Sequence, residues 1–226
     1  MFNLDRGAGM FRQFGRFAIF RDVQAPGTSA VSEMLNNTLV SLAQKMTKDD
    51  PALNVIVCGS LAGGTGAGMF LDIPHLAQRV AAINGITASV RGFFYLPEAF
   101  KVDLGNKRNA AHGRAFGALR ELSRFLLNSN HETGYPMHYH APRAGFNQDL
   151  WQSSNRGKLY DFVYMIDGTG FNDRSLPEST AVAVADGIVN FIDPNYGPQQ
   201  EQYANNINAQ ILDRVGLIGK QAYVSS

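Results

Sequence analysis

Apolar residues along this chain follow two patterns, continuous runs and runs with helical spacing. The continuous runs are rich in β-branched and aromatic side chains, and they predict strands over residues 54–58, 88–96 and 159–166. Apolar positions that recur every three or four residues predict helices over residues 29–45, 70–82, 109–128 and 176–192. Since strands and helices both recur along the chain, the pattern predicts an α/β fold.

A glycine-rich segment joins the first predicted strand to the helix that follows it. This segment, residues 60–69, is named the glycine loop and reads Ser-Leu-Ala-Gly-Gly-Thr-Gly-Ala-Gly-Met. Glycines lack a Cβ and tolerate positive φ, so such a backbone can approach an anion closely and present N–H donors beside the positive end of a helix. The Thr65 hydroxyl can bond a phosphate oxygen. The segment indicates a phosphate site, and the alternative is a glycine-rich turn without a ligand.

The spacing of the glycines distinguishes between classes of phosphate loop. A Walker loop ends in Gly-Lys-Ser/Thr, but no lysine lies between Lys48 and Lys101. A dinucleotide fingerprint requires G-x-G-x-x-G, whereas the spacing here is G-G-x-G-x-G. The loop resembles the signature of the tubulin/FtsZ superfamily of GTPases, S-L-G-G-G-T-G-S-G-M in tubulins, from which it departs at Ala62 and Ala67. The resemblance is closest to the divergent bacterial tubulin-like proteins.

That resemblance implies a three-layer, Rossmann-like nucleotide-binding domain, with a mainly parallel sheet and helices on both faces. It implies that GTP or GDP binds the loop, with Mg²⁺ held by the nucleotide phosphates and not by a protein metal site. The residues it places at the phosphates are Ala62, Gly63, Gly64, Thr65, Gly66, Ala67 and Gly68. On this basis we expect Gly66→Val to abolish nucleotide binding by intruding on the anion.

Gly7-Ala8-Gly9, followed by Gly15-Arg16, resembles the G-A-G…G-R-x-A segment of FtsZ-type proteins. In that family the segment faces the γ-phosphate, so the resemblance implies contacts from Gly7, Ala8 and Gly9 to the nucleotide. The alternative is a flexible tail near the start of the chain.

Two further segments resemble family positions that hold the nucleoside. Residues 100–108 resemble F-x-F-E-G-x-x-R, which implies that Asp103 bonds the ribose hydroxyls and that Arg108, or Lys107, contacts the sugar–phosphate side. Leu104 is an apparent insertion there, and a solvated charged turn is the alternative. Glu178 falls where FtsZ proteins place an acid that accepts hydrogen bonds from guanine, although it also suits the first turn of a helix. FtsZ proteins have a guanine-binding asparagine close to the position where Asp167 and Gly168 stand here, so the resemblance implies no guanine contact from this position.

Other features of the family are not matched. Its first strand and G-x-G-G-x-G turn should precede Gly7, so we expect either that this chain is a fragment of a longer protein, or that another chain or a mis-called start codon explains their absence. Its inter-subunit loop carries acids that position water, whereas Gln199 and Gln200 stand here, with Glu201 as the nearest catalytic candidate. Amides cannot accept a proton near neutral pH, so nucleotide binding is better supported than hydrolysis.

Three hypotheses about function follow. The first is a GTP-binding protein that assembles head to tail, with itself or with a related tubulin-like subunit, and completes hydrolysis in trans. The second is a non-hydrolysing nucleotide-binding switch or scaffold within a larger complex. The third is a dinucleotide-binding oxidoreductase, which the glycine spacing disfavours.

Length, composition and charge add expectations about domain organisation and partners, but they do not decide between the three hypotheses. A chain of 226 residues with 45% hydrophobic content can bury one α/β core, so we expect a single partial domain over residues 1–226 with a loop insertion at 130–158. A net charge of +1 without a basic stripe argues against a nucleic-acid partner. His131, His138 and His140 in the insertion favour a surface loop over a metal site.

The expected setting is cytoplasmic. No apolar run approaches the about 18 residues that a membrane span needs. The single cysteine, Cys58, excludes an intrachain disulfide, and we expect it to be a small buried hydrophobe in a reducing compartment.

Overall fold

The computed structural model describes residues 7–23, 29–46, 52–100, 105–128, 135–136, 154–155, 159–167, 176–192, 202 and 221–223. The helices of this part are α1 (Arg12–Val23), α2 (Ala30–Ala43), α3 (Thr65–Met69), α4 (Asp72–Ile83), α5 (Arg108–Asn128) and α6 (Leu176–Ile192). The strands are β1 (Ala52–Ser60), β2 (Thr87–Tyr95), β3 (Tyr135–Pro136), β4 (Ser154–Asn155), β5 (Phe162–Ile166) and β6 (Gln221–Tyr223). Short 3-10 turns cover Pro97–Phe100 and Gly105–Lys107.

A parallel sheet in the order β1-β2-β5-β6 forms the centre of the described structure. The β1–β2 register runs as far as Ser60 opposite Tyr95, and Tyr95 in turn lies opposite Ile166 of β5. The carboxyl ends of these three strands therefore share one edge of the sheet. Ligands of open α/β folds bind outside this edge, so the fold places the glycine loop, which follows Ser60, at such a position.

Helices pack against both faces of the sheet. On one face, α1, α2, α4 and α5 share a core with β2 and β5 that includes Leu76, Leu122, Phe94 and Val163. On the other face, α6 contributes Val184 to a smaller cluster with Phe93, Tyr164 and Ile166. The rings of Phe93 and Tyr164 stack at a centroid distance of 4.6 Å. The predicted three-layer α/β architecture is therefore confirmed.

The segment predicted as an insertion, residues 130–158, contains the antiparallel pair β3–β4. Its other residues, including His131, His138, His140 and Trp151, lie outside the described part of the chain. The proposed insertion stays a prediction.

Cys58 is exposed, so the prediction of a buried hydrophobe is wrong. Side chains alternate along β1, and Cys58 shares a face with Asn54 and Ile56. Ile56 packs against the α6 cluster, whereas Asn54 is exposed like Cys58. Because β1 lies at the end of the described sheet, the α6 layer covers this face only in part.

Candidate functional site

The glycine loop leaves the carboxyl end of β1 and turns directly into α3. The Leu61 amide donates to the Tyr95 carbonyl at 3.0 Å, which ties the loop to the end of β2. The Ala62 amide donates to Ser60 Oγ at 3.1 Å. A separate short helix, α3, begins at Thr65, five residues before the predicted helix, and it is not predicted because Gly66 and Gly68 within it give no apolar spacing to detect. Phe70 and Leu71 keep right-handed helical backbone angles up to α4.

Most of the loop's glycines serve close packing of the backbone. A Cβ on Gly64 would lie 2.6 Å from the Phe11 nitrogen, and one on Gly66 would lie 2.8 Å from the Ser60 carbonyl oxygen. Gly68 lies against the Arg12 carbonyl. A Cβ on Gly63 would meet nothing within 4 Å. Gly63 is therefore the glycine of the loop that borders open space, and a side chain at Gly66 would strike the fold before it reached an anion.

A second glycine segment lies directly on this loop. Residues 7–10, which we call the N-terminal loop, have positive φ at Gly7 (81°), Gly9 (54°) and Met10 (70°). The Ala8 amide donates to Thr65 Oγ1 at 3.1 Å, and Ala8 is buried. The structure thus brings together the two segments that the resemblance assigns to the phosphates.

Helix α1 holds the N-terminal loop in place by packing on α3. A Cβ on Gly15 would lie 2.6 Å from the Gly64 carbonyl oxygen, so the two backbones touch. Arg12 Nε donates to the Ala67 carbonyl at 3.0 Å, and the same guanidinium pairs with Glu121 of α5.

Arg114 of α5 also reaches the glycine loop, although the sequence did not single it out. Its Nε donates to the Ala62 carbonyl at 2.8 Å, and its Nη2 lies 3.9 Å from Met10 Sδ. The guanidinium therefore lies between the glycine loop and the N-terminal loop. The one signal in the sequence is that Arg114 lies in the helix that follows β2. The residues around it do not distinguish it from the other arginines of α5.

The remaining predicted site residues are not joined to the glycine loop by a described contact. Arg108 Nη2 lies 3.2 Å from both carboxylate oxygens of Glu98, and His112 Nε2 lies 2.9 Å from Glu98 Oε1. Glu178 lies in α6, but its side chain is outside the description, as are Asp103 and Glu201 entirely.

A buried charged residue lies at the start of α4, the helix that follows the glycine loop. Asp72 is fully buried, and its Oδ2 is 3.6 Å from Arg16 Nε of α1. The Tyr160 hydroxyl donates to the Phe70 carbonyl, and burial together with the Asp72 charge raises the Tyr160 pKa well above its ordinary value. Burial, aided by the nearby Arg79 charge, lowers the pKa of His75 to about 4.

Two negative findings hold for the described residues alone. They contain no group of three or more His, Cys, Asp or Glu side chains arranged to hold a metal ion. None of their helices combines the length and the apolar character that crossing a membrane requires.

Comparisons with known proteins place the chain in a family. The profile of a family described as "Tubulin like" matches residues 2–226. Comparison with curated proteins gave no match, and neither did comparison with solved structures. Because the family match spans nearly all of the 226 residues, this chain belongs to the tubulin-like family.

Proposed function

We propose that this protein binds GTP or GDP on residues 62–68, with the N-terminal loop facing the terminal phosphate. The observation that supports this most directly is the hydrogen bond from the Ala8 amide to Thr65 Oγ1, because it joins two glycine segments at the carboxyl edge of a parallel sheet. The open space beside Gly63 leaves room for a ligand against the backbone. Mg²⁺ would be held through the phosphates, Asp103 would bond the ribose and Glu178 would bond guanine.

The open space beside Gly63 allows a test of GTP binding by substitution at that position. Titration calorimetry with GTP, ATP and NAD measures which nucleotide class the protein takes, and we expect GTP. A Cβ at Gly63 meets nothing within 4 Å, so Gly63→Val should abolish GTP binding while the protein stays folded. Gly113→Val is the matched control, because a Cβ there also meets nothing within 4 Å and Gly113 lies on the exposed face of α5.

Two outcomes would contradict the binding proposal. Unchanged GTP affinity in Gly63→Val would reject the glycine loop as the binding site. A preference for NAD over GTP would favour the dinucleotide-binding oxidoreductase instead.

The second part of the proposal is assembly in the cytoplasm. Subunits of this chain, or this chain and a related tubulin-like subunit, would stack head to tail with the nucleotide between them, and hydrolysis would be completed in trans near Glu201. Such heterologous contacts produce open filaments when the rotation does not close. A site shared between subunits makes phosphate release per subunit rise steeply with protein concentration, and Glu201→Gln should abolish that release.

A non-hydrolysing switch or scaffold is the second candidate, favoured by Gln199 and Gln200 at the place of the family's acids. It predicts GTP binding without phosphate release at any protein concentration. Light scattering with GTP distinguishes further, because the assembling protein scatters more as filaments grow.

A further inference from the structure

We propose that Arg114 is an anion-binding residue of the glycine loop and supplies the positive charge for a phosphate group held there. This inference deepens the proposed function and rests on it for the identity of the nucleotide. It adds a basic side chain from α5 to a site that the resemblance builds from glycines, Thr65 and the N-terminal loop.

The position of the guanidinium supports this assignment. Nε donates to the Ala62 carbonyl at 2.8 Å, which fixes the head group against the backbone of the loop. Nη2 is 3.9 Å from Met10 Sδ, which places the same head group beside the N-terminal loop. A phosphate that contacted both segments would therefore lie close to this charge.

The hydrogen-bonding capacity of Arg114 also supports an anion-binding role. A guanidinium has five N–H donors. In the described contacts of Arg114, one donor goes to a neutral carbonyl and another faces a thioether, which is a weak acceptor. The remaining donors can form charge-assisted and bidentate bonds to phosphate oxygens, for which the planar guanidinium is well suited.

Neighbouring arginines are already paired with carboxylates. Arg12 pairs with Glu121, Arg16 lies 3.6 Å from Asp72, and Arg108 contacts Glu98. Within the described part of the chain, no carboxylate pairs with Arg114. Lysine is absent from residues 49–100, so the loop and its flanking elements offer no P-loop-type lysine to balance a polyphosphate.

The test measures affinity for GTP and for inorganic tripolyphosphate by calorimetry in four proteins: wild type, Arg114→Gln, Arg114→Lys and Arg120→Gln. Hydrogen bonds between charged groups are about twice as strong as those between neutral groups, so Arg114→Gln should weaken the binding of both ligands by about tenfold to a hundredfold. Arg114→Lys keeps the charge and should recover part of that loss. Arg120→Gln removes the same charge from α5, where Arg120 lies over the Phe116 ring, and should change neither affinity.

Each other outcome has a definite meaning. Equal affinity in Arg114→Gln would overturn the inference while the proposed function stands. If Gln and Lys lose affinity equally and both lower the melting temperature, Arg114 is a brace for the Ala62 backbone and the inference is overturned. If the wild-type protein binds tripolyphosphate but not GTP, and Arg114→Gln weakens the binding of tripolyphosphate, the inference holds and the proposed function fails. If wild type binds neither ligand, both are rejected.

Discussion

The backbone amide of Ala8 donates a 3.1 Å hydrogen bond to the hydroxyl of Thr65, 57 positions further along the chain. The Thr65 oxygen accepts this bond, so its own proton stays available to donate to a phosphate oxygen. Thr65 is also the first residue of α3, where backbone N–H groups face outward without helical partners. One side chain thus connects the position of the N-terminal loop with the place where we propose that an anion binds.

Thr65→Val should separate the two glycine segments. Valine has the shape of threonine but accepts no hydrogen bond, so the amide of the buried Ala8 would lose its partner. We expect the free energy of unfolding to fall by about 1–3 kcal/mol, and GTP affinity to fall as well. Urea denaturation and calorimetry measure the two effects. Thr65→Ser restores the hydroxyl and should behave nearly as wild type; a valine variant with wild-type stability and affinity would contradict the assignment.

Gly15→Ala should destabilise the protein although alanine favours helices. A new Cβ would lie 2.6 Å from the Gly64 carbonyl oxygen, so α1 would be forced away from α3. We expect a loss of about 1–3 kcal/mol in the free energy of unfolding, as is typical of overpacking. Gly113→Ala is the control, because open space surrounds that position on α5 and the substitution should stabilise by about 0.5–1 kcal/mol. If both variants are stabilised, the close contact between α1 and α3 is refuted.

Stability should depend on pH through His75. Its folded pKa of about 4 lies below the ordinary value of 6.5, so between these values the unfolded chain binds a proton that the folded chain does not. The contribution is complete above pH 6.5 and is lost as the pH falls towards 4. A shift of this size corresponds to about 3 kcal/mol. Urea denaturation between pH 4 and 7 measures it, and His75→Gln should flatten the curve across that window; an unchanged curve would show that His75 is not responsible.

Tyr160→Phe should remove the hydroxyl that donates to the Phe70 carbonyl between α3 and α4. The ring would keep its edge-on contact with Phe94, so packing is preserved and the hydrogen bond alone is lost. We expect a loss of about 1 kcal/mol in the free energy of unfolding, measured by thermal or urea denaturation. Tyr95→Phe removes a hydroxyl from a less buried ring, at the carboxyl end of β2, and should have little effect. Equal losses in the two variants would assign no special role to Tyr160.

The local pattern predicted much of the fold. Residues 70–82 bury Leu76 and Val80 as the helical spacing required, and the apolar run at 88–96 became the central strand β2. The apolar pattern does not predict helix α1, because its buried stripe is Gly15, Ile19 and Val23, whereas Phe17 is exposed. A glycine at a buried helical position gives no hydrophobic signal, and only its close approach to Gly64 explains it.

The amino-acid sequence by itself determined where a backbone without Cβ atoms lies between a strand and a helix, because four glycines there leave the N–H groups uncovered by their own side chains whatever surrounds them. Only the tertiary structure decided what lies against that backbone: the Ala8 amide on Thr65, the guanidinium of Arg114 on Ala62, and Gly63 as the glycine that borders open space. The first two contacts join residues more than 50 positions apart in the sequence. The third finding depends on the direction in which a Cβ at Gly63 would point. They follow from how α1, α3 and α5 pack together, which no local pattern of residues specifies.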